Sequence, residues 1–251
     1  VALDFRPLIL PTEPGENVGH LIDMMLHYNV TGTIVTSDTS PAEIAQECAA
    51  YGLPLVLINK PEVGSQVANV SIDTAAAGRL AAEEFLAIGC RQIAVASQRR
   101  ASHSIGQRKA AFIARCRALG IDIVGDFQGP AQNYDGGVDA ARAFVDSGVV
   151  ADGVYCVNDY LALGFLDELR RSSALTVPGD LKVMACDDIA EAAWGSYDLT
   201  TVRQDASAMA QAAIAALQNC LDAPDAPQPH TILPATIVRR GSTGALRATH
   251  E

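Results

Sequence analysis

Basic charge is scarce in this chain: 18 Lys and Arg face 29 Asp and Glu over 251 residues, for a formal net charge of -11. That balance argues against these residues gripping phosphates themselves, because nucleic-acid binding needs a basic face. It leaves open a basic module attached elsewhere. Long apolar runs are lacking too. None approaches the ~20 residues that span a bilayer, so no membrane partner is expected. The opening, VALDFRPLILPTEPGEN, has no basic region followed by an apolar stretch, the pattern of a secretory signal. Aromatics are only 5% of residues, with a single tryptophan, Trp194.

Catalytic signatures are also missing. The chain carries no GxSxG elbow, no phosphate loop and no GxGxxG after a strand. Its six cysteines, Cys48, Cys90, Cys116, Cys156, Cys186 and Cys220, are scattered without a CxxC pair. They read as core thiols of a reducing, cytoplasmic compartment. The five histidines cluster with none of them, so no zinc site is expected and no cofactor is implied.

What is present is a well-cored composition, 49% hydrophobic, in a regular order of elements. Phe5–Leu10 reads as a strand. Val18, Leu21, Ile22, Met25 and Leu26 follow at helical spacing, and Thr33–Val35 reads as the next strand. Pro41 opens a helix, and Pro54–Ile58 is a strand. The alternation continues with a helix from Asp73 or Thr74 to about Ile88, a strand at Gln92–Ala96 and a polar loop at Ser97–Ser104. Beyond them come a helix to Leu119, a strand at Ile121–Phe127 and a helix at Tyr134–Ser147. Val154–Val157, a helix to Arg171, and Val183–Cys186 complete the run. Alternation of this kind predicts an α/β fold of parallel sheets covered by helices. After Leu199–Val202, a helix with Met209, Ala213, Leu217 and Leu221 in register leads to the rigid APDAPQP linker. Thr231–Val238 is then a strand pair broken at Pro234.

Polar residues fall just after several of these strands: Asp73, the loop through Arg108, Asn158-Asp159 and Asp187-Asp188. In open parallel sheets such ends share one edge, where ligands bind. Each also has a plain structural reading. Asp73, one of Asn158 and Asp159, and Asp188 are all placed to cap helices. Arg108 reaches either the edge or a surface acid. Asp187 points more naturally to the edge, as a catalytic acid, a metal ligand or a hydrogen-bond acceptor. Asp, Asn, Arg and Ser without a nucleophile–base pair suit reversible binding of a hydroxylated ligand, not an enzyme.

Three segments in order, VNDYLALGFLDELR (157–170), VMACDDIAEAAWGSYDLTTVRQDASAMAQAAI (183–214) and LPATIVRRGST (233–243), resemble the effector-binding core of the lac-repressor family. VTGTIVTS, LPLVLINKP, VSIDTAAAGRLAAEEFLAIGCRQIAV and IGQRKAAF match more weakly. The resemblance covers nearly the whole chain. It implies a periplasmic-binding-protein type I fold: two lobes, each a parallel sheet flanked by helices, joined by three crossovers. Residues 1–97 with 203–224 would form the N-lobe, and 98–202 with 225–244 the C-lobe, leaving 245–251 as a tail. It also implies a homodimer, a small effector held between the lobes, and operator DNA bound by a helix-turn-helix head that should precede this core. Effector contacts carry over to Asp73, Ser102, Ser104, Arg108, Asn158 and Asp187. Trp194 or Tyr134 would stack on a sugar face or serve the core.

Some features depart from the family pattern. The chain opens at what matches the family's second strand, so the core's first strand and helix are expected to be absent, along with the DNA-binding head. Gln132 stands near the position of the usual aromatic, and Ala185-Cys186 replaces the commoner Gly-aromatic. The resulting expectation is the regulatory core of a cytoplasmic transcription regulator sensing a sugar, with a purine or a sugar phosphate left open. A periplasmic sugar-binding protein of a transporter is the alternative.

Overall fold

The computed structural model describes residues 6–12, 17–36 and 40–244. The expected tail, 245–251, lies outside them. Contacts divide the chain into two compact units: the residues up to Ser71 with Ser207–Ile232, and Ile72–Ala206 with the residues from Leu233 onward. The chain passes between the units three times, as the fold class requires.

The first unit is built on a four-stranded sheet of order β1-β2-β3-β9, from β1 (Thr33–Val35), β2 (Leu55–Ile58), β3 (Ala68–Ile72) and β9 (His230–Leu233). β1, β2 and β3 run parallel. Helix α1 (Val18–His27) starts at Asn17, whose side chain accepts from the Gly19 N–H at 2.8 Å. Its Val18, Leu21, Ile22 and Met25 form one buried stripe at i, i+3, i+4 and i+7. That stripe packs with Ile44 and Cys48 of α2 (Pro41–Ala50) over Val35, Leu55 and Leu57 of the sheet. Helix α7 (Ala206–Asp222) buries Ala213, Ala216 and Cys220. Its inward face is thus rotated from the expected Met209, Leu217 and Leu221, which are only partly buried.

The expected strand at Phe5–Leu10 does not form over its described part. Residues 6–10 carry no strand, and Phe5 lies outside the described residues. Pro7 has no N–H to give a sheet ladder, and Pro11 restricts the residue before it.

The second unit holds a six-stranded sheet of order β10-β8-β7-β6-β4-β5. Its strands are β4 (Gln92–Gln98), β5 (Asp122–Gly129), β6 (Gly153–Cys156), β7 (Lys182–Asp187), β8 (Thr200–Arg203) and β10 (Thr236–Val238). All neighbours are parallel except β10, which pairs antiparallel with β8. β6 is buried along its whole length, and β7 over Val183–Cys186, as strands covered on both faces must be. The cover comes from α3 (Thr74–Ala87), α4 (His103–Ala118), α5 (Tyr134–Ser147) and α6 (Asp159–Ser172), with α3 packed against α4 and α5 against α6. The α5–α6 approach depends on glycine at both partners. A Cβ on Gly137 would collide with the Leu161 carbonyl, and one on Gly164 with the Tyr134 carbonyl.

The divisions between units fall elsewhere than expected from the sequence. β4 is hydrogen-bonded between β5 and β6, so α3 and β4 belong with the second unit and not with residues 1–97. β9 joins β3 in the first sheet, while β10 goes to the second. The strand pair around Pro234 is therefore divided between the two sheets. Among the described residues, no helix is long and apolar enough to cross a membrane.

Candidate functional site

Parallel pairing fixes which residues stand level at the carboxyl edge of the six-stranded sheet. Ala96 is paired with Cys156, and Tyr155 with Met184. Counting forward, Gln98, Asn158 and Asp187 occupy one row across β4, β6 and β7, on strands roughly 4.8 Å apart. Arg203 of β8 is paired with Asp187 and extends the row.

Arg108 reaches this row from α4. Four residues on, Phe112 stacks on Tyr155 of β6, with ring centroids 4.1 Å apart, which fixes α4 against the sheet. Such a pair adds about 1 kcal/mol beyond its area burial. Arg108 is 2% exposed. Its Nη2 donates to the Val157 carbonyl at 2.7 Å. Its Nη1 donates to the Asp187 carboxylate at 3.2 Å and to the Cys186 sulfur at 2.6 Å. Gln204 Nε2 donates to the same Asp187 oxygen. Burial pushes the Asp187 carboxyl above the ordinary carboxylate range, and Arg108 and Gln204 only partly offset it. Arg108 stays protonated at any physiological pH.

Asp187 sits on a strained backbone, with φ 136° there and φ 60° at Asp188. Two successive positive-φ residues that are not glycine need outside support. Asp159 supplies it from the start of α6. Its fully buried carboxylate accepts from the Ile189 N–H at 3.0 Å and from the Thr201 hydroxyl at 2.6 Å. Burial, with the nearby Asp187 charge, pushes its pKa up to about 7 against the pull of those donors.

The sequence-selected residues divide into three groups. Arg108 and Asp187 are in direct contact. Asn158 joins them through the Val157 carbonyl beside it, and also caps α6: its Oδ1 accepts from the Leu161 N–H at 2.9 Å and its Nδ2 donates to the Gln132 carbonyl at 3.0 Å. Ser102 immediately precedes α4 and Ser104 lies in its first turn, with their hydroxyls 3.5 Å apart, and Ser104 is one turn before Arg108 on the same face. Asp73 caps α3, accepting from the Ala76 N–H at 2.7 Å, and none of its hydrogen bonds runs to the Arg108 cluster. Trp194, after the short 3-10 helix Ala190–Ala193, is 57% exposed, so the core reading for its ring is not what the structure has.

Asp188 is not a helix cap either. The 3-10 helix has no side-chain cap bond at Ile189. Asp188 instead receives Arg203 Nε and Arg240 Nη2, each at 2.6 Å. Sequence reasoning missed Gln204 and Gln98. Strand register was the signal for Gln98, since it stands level with Asn158, and Gln204 directly follows the Arg203 paired with Asp187. Among the described residues, no group of three or more His, Cys, Asp or Glu is placed to hold a metal. All six cysteines are free and buried.

Comparison with known proteins agrees with this fold. A family model for a periplasmic binding protein-like domain matches residues 82–243. An uncharacterized HTH-type transcriptional regulator in the aml 5' region of Streptomyces limosus is 30% identical over 95% of this chain and 70% of its own length. Among solved structures, a LacI family transcriptional regulator from Enterococcus faecium with bound ribose aligns with TM-score 0.81 at 22% identity, over 92% of this chain and 85% of that one. A dimeric lac repressor with a C-terminal deletion aligns with TM-score 0.80 at 21% identity, over 91% and 84%. The chain belongs to the lac-repressor family of transcription regulators and carries that family's effector-binding core.

Proposed function

We propose that this core senses a neutral sugar, or a closely similar small polyol, at the row formed by Asn158, Asp187 and Arg108. The carrying observation is the Arg108–Asp187 pair held at the carboxyl edge of a parallel sheet. A guanidinium and a carboxylate side by side offer donors and acceptors together, which is what vicinal hydroxyls require. The ribose in the Enterococcus faecium structure, on the same fold, supports a sugar. Asp73, Ser102, Ser104 and Trp194 are assigned to the same ligand more peripherally. The protein works as a homodimer in the cytoplasm, as the dimeric lac repressor with its like fold suggests. Operator DNA is contacted through the helix-turn-helix part that the family joins to this core, since the core itself is acidic. Effector binding shifts the population of core conformations and so the fit to two half-sites. The core is not an enzyme on this reading. The similar protein of stated class is a regulator, which favours sensing over transport.

The test is a thermal-shift and calorimetric screen of the purified protein against D-ribose, D-glucose, maltose and cellobiose. At least one should raise the melting temperature, and Asp187→Ala should abolish that rise. A shift unchanged in Asp187→Ala removes Asp187 from the site, and operator binding that no shifting sugar alters removes the regulatory role.

A further inference from the structure

We infer that Gln98 is a ligand-contacting, specificity-setting residue of the sugar site, an assignment that rests on the reading above. Carried two residues past the end of β6, the β4–β6 register puts Gln98 level with Asn158, and the β6–β7 register puts Asn158 level with Asp187. Gln98 is 4% exposed, and its Oε1 meets no hydrogen-bond partner among the described residues. Its Nε2 donates to the Gln132 side chain at 3.3 Å, and the Gln132 carbonyl in turn receives Asn158 Nδ2. Ser97, one residue before Gln98, turns to Lys109 of α4, so Gln98 lies on the opposite face of the sheet with Gln132 and Asn158.

Leaving a buried polar atom unmatched is costly, so it persists where something else uses the atom. Exchanging the amide ends of Gln98 and Gln132 does not remove the orphan. It only turns an unmatched acceptor into an unmatched donor. The unmatched amide atom of Gln98 calls for a ligand group that answers it whichever way the amide is turned. A hydroxyl does this, because it can give a proton to an oxygen or accept one from an N–H. The Gln98–Gln132 pair thus adds a polar contact at the β4 end of the row, where an apolar face stacked on a ring would give no such discrimination. A sugar carrying a hydroxyl at that place is selected over its deoxy counterpart. Sites built around such a group reject the analogue lacking it far more strongly than apolar pockets reject a missing methylene.

The test compares wild type with Gln98→Met, which keeps length and removes the amide. Without ligand, Gln98→Met should melt no lower than wild type, because an unmatched buried group has been removed. With the tightest sugar of the four-sugar panel, its Kd should weaken roughly ten- to hundred-fold. Among the monodeoxy forms of that sugar, one should bind wild type and Gln98→Met equally. An unchanged Kd, or a Kd loss with no deoxy form that equalises the two proteins, overturns the assignment of Gln98 and leaves the sugar reading standing. A much lower melting temperature without ligand also overturns it, since the amide would then be serving the fold. If no panel sugar binds wild type, the sugar reading falls, and Gln98's part in it falls with it.

Discussion

The ends of β6 and β7 carry similar sequences, Asn158-Asp159 and Asp187-Asp188, yet handle their second residue in opposite ways. At β6 a regular helix follows, capped by Asn158, and Asp159 turns inward to a hydroxyl and a backbone N–H with no cation in its hydrogen bonds. At β7 the backbone bends through two positive-φ residues and only a 3-10 turn follows. There Asp188 turns inward to two guanidinium groups. Burial pushes both carboxyls up. Asp159 rises to about 7, whereas Arg240 and Arg203 bring Asp188 below its ordinary value on balance. The lesson is that burial does not decide the charge of a strand-end acid. The partners it meets across the chain do. In both cases the first residue of the pair stands at the sheet edge, Asn158 held by the α6 cap and Asp187 by Arg108 and Gln204.

The largest test of that contrast is the pH dependence of Asp159. Its native pKa lies above its ordinary value of 3.8, so between about pH 4 and pH 7 the folded state holds more proton than the unfolded state. Its contribution to stability is fully present below pH 4 and is lost as pH rises through 7, an effect of up to about 4 kcal/mol. Asp159→Asn has no proton to lose. Its stability relative to wild type should therefore climb from pH 4 to pH 7 and then level off, as read by urea unfolding at each pH. A difference that stays flat across that window would place Asp159 with Asp188 as a permanently ionised acid.

Asp188→Ala comes next. The substitution strands Arg240, whose side chain is 15% exposed, while Arg203, half exposed, is free to return to water. Breaking a buried pair from one side costs about 3 kcal/mol at the lower end of what such losses show. Unfolding at pH 7 measures it. The wild-type advantage should disappear on acidification below the native pKa of Asp188, the opposite sign to Asp159. A loss below about 0.5 kcal/mol would mean the pair behaves as an exposed one.

Much of the fold was legible in the sequence because it rests on local periodicity and punctuation. Helix α1 follows from its apolar spacing, α2 from Pro41, and the α3 and α6 starts from Asp73 and Asn158 as caps. What stayed hidden depends on partners far along the chain. The ion pair that takes Asp188 away from its expected capping role comes from Arg240, 52 residues away. The division of the final strand pair between two sheets depends on β3 and β8, which no local pattern announces. The site was half legible. Arg108, Asn158 and Asp187 carry the family pattern, whereas Gln98 and Gln204 become visible only once strand register is known.

The smallest test asks how far the β6 end owes its regularity to the cap alone. Three helices of the second unit begin after sheet strands with a polar residue in extended backbone: α4 at Ser102, α5 at Asn133 and α6 at Asn158. Asn133 and Asn158 each close a side-chain bond onto their helix, while the Ser102 hydroxyl faces Ser104 and caps nothing. Losing a working cap costs about 1 kcal/mol, and an idle one costs little. Asn158→Ala should therefore destabilise by about 1 kcal/mol, with a further loss from the Gln132 carbonyl it leaves unpaired. Ser102→Ala should stay within about 0.5 kcal/mol of wild type. Equal losses in urea unfolding would show that Ser102 caps α4 in solution. Ser102 would then be a structural residue of its helix, and the ligand role proposed for it would pass to Ser104 alone.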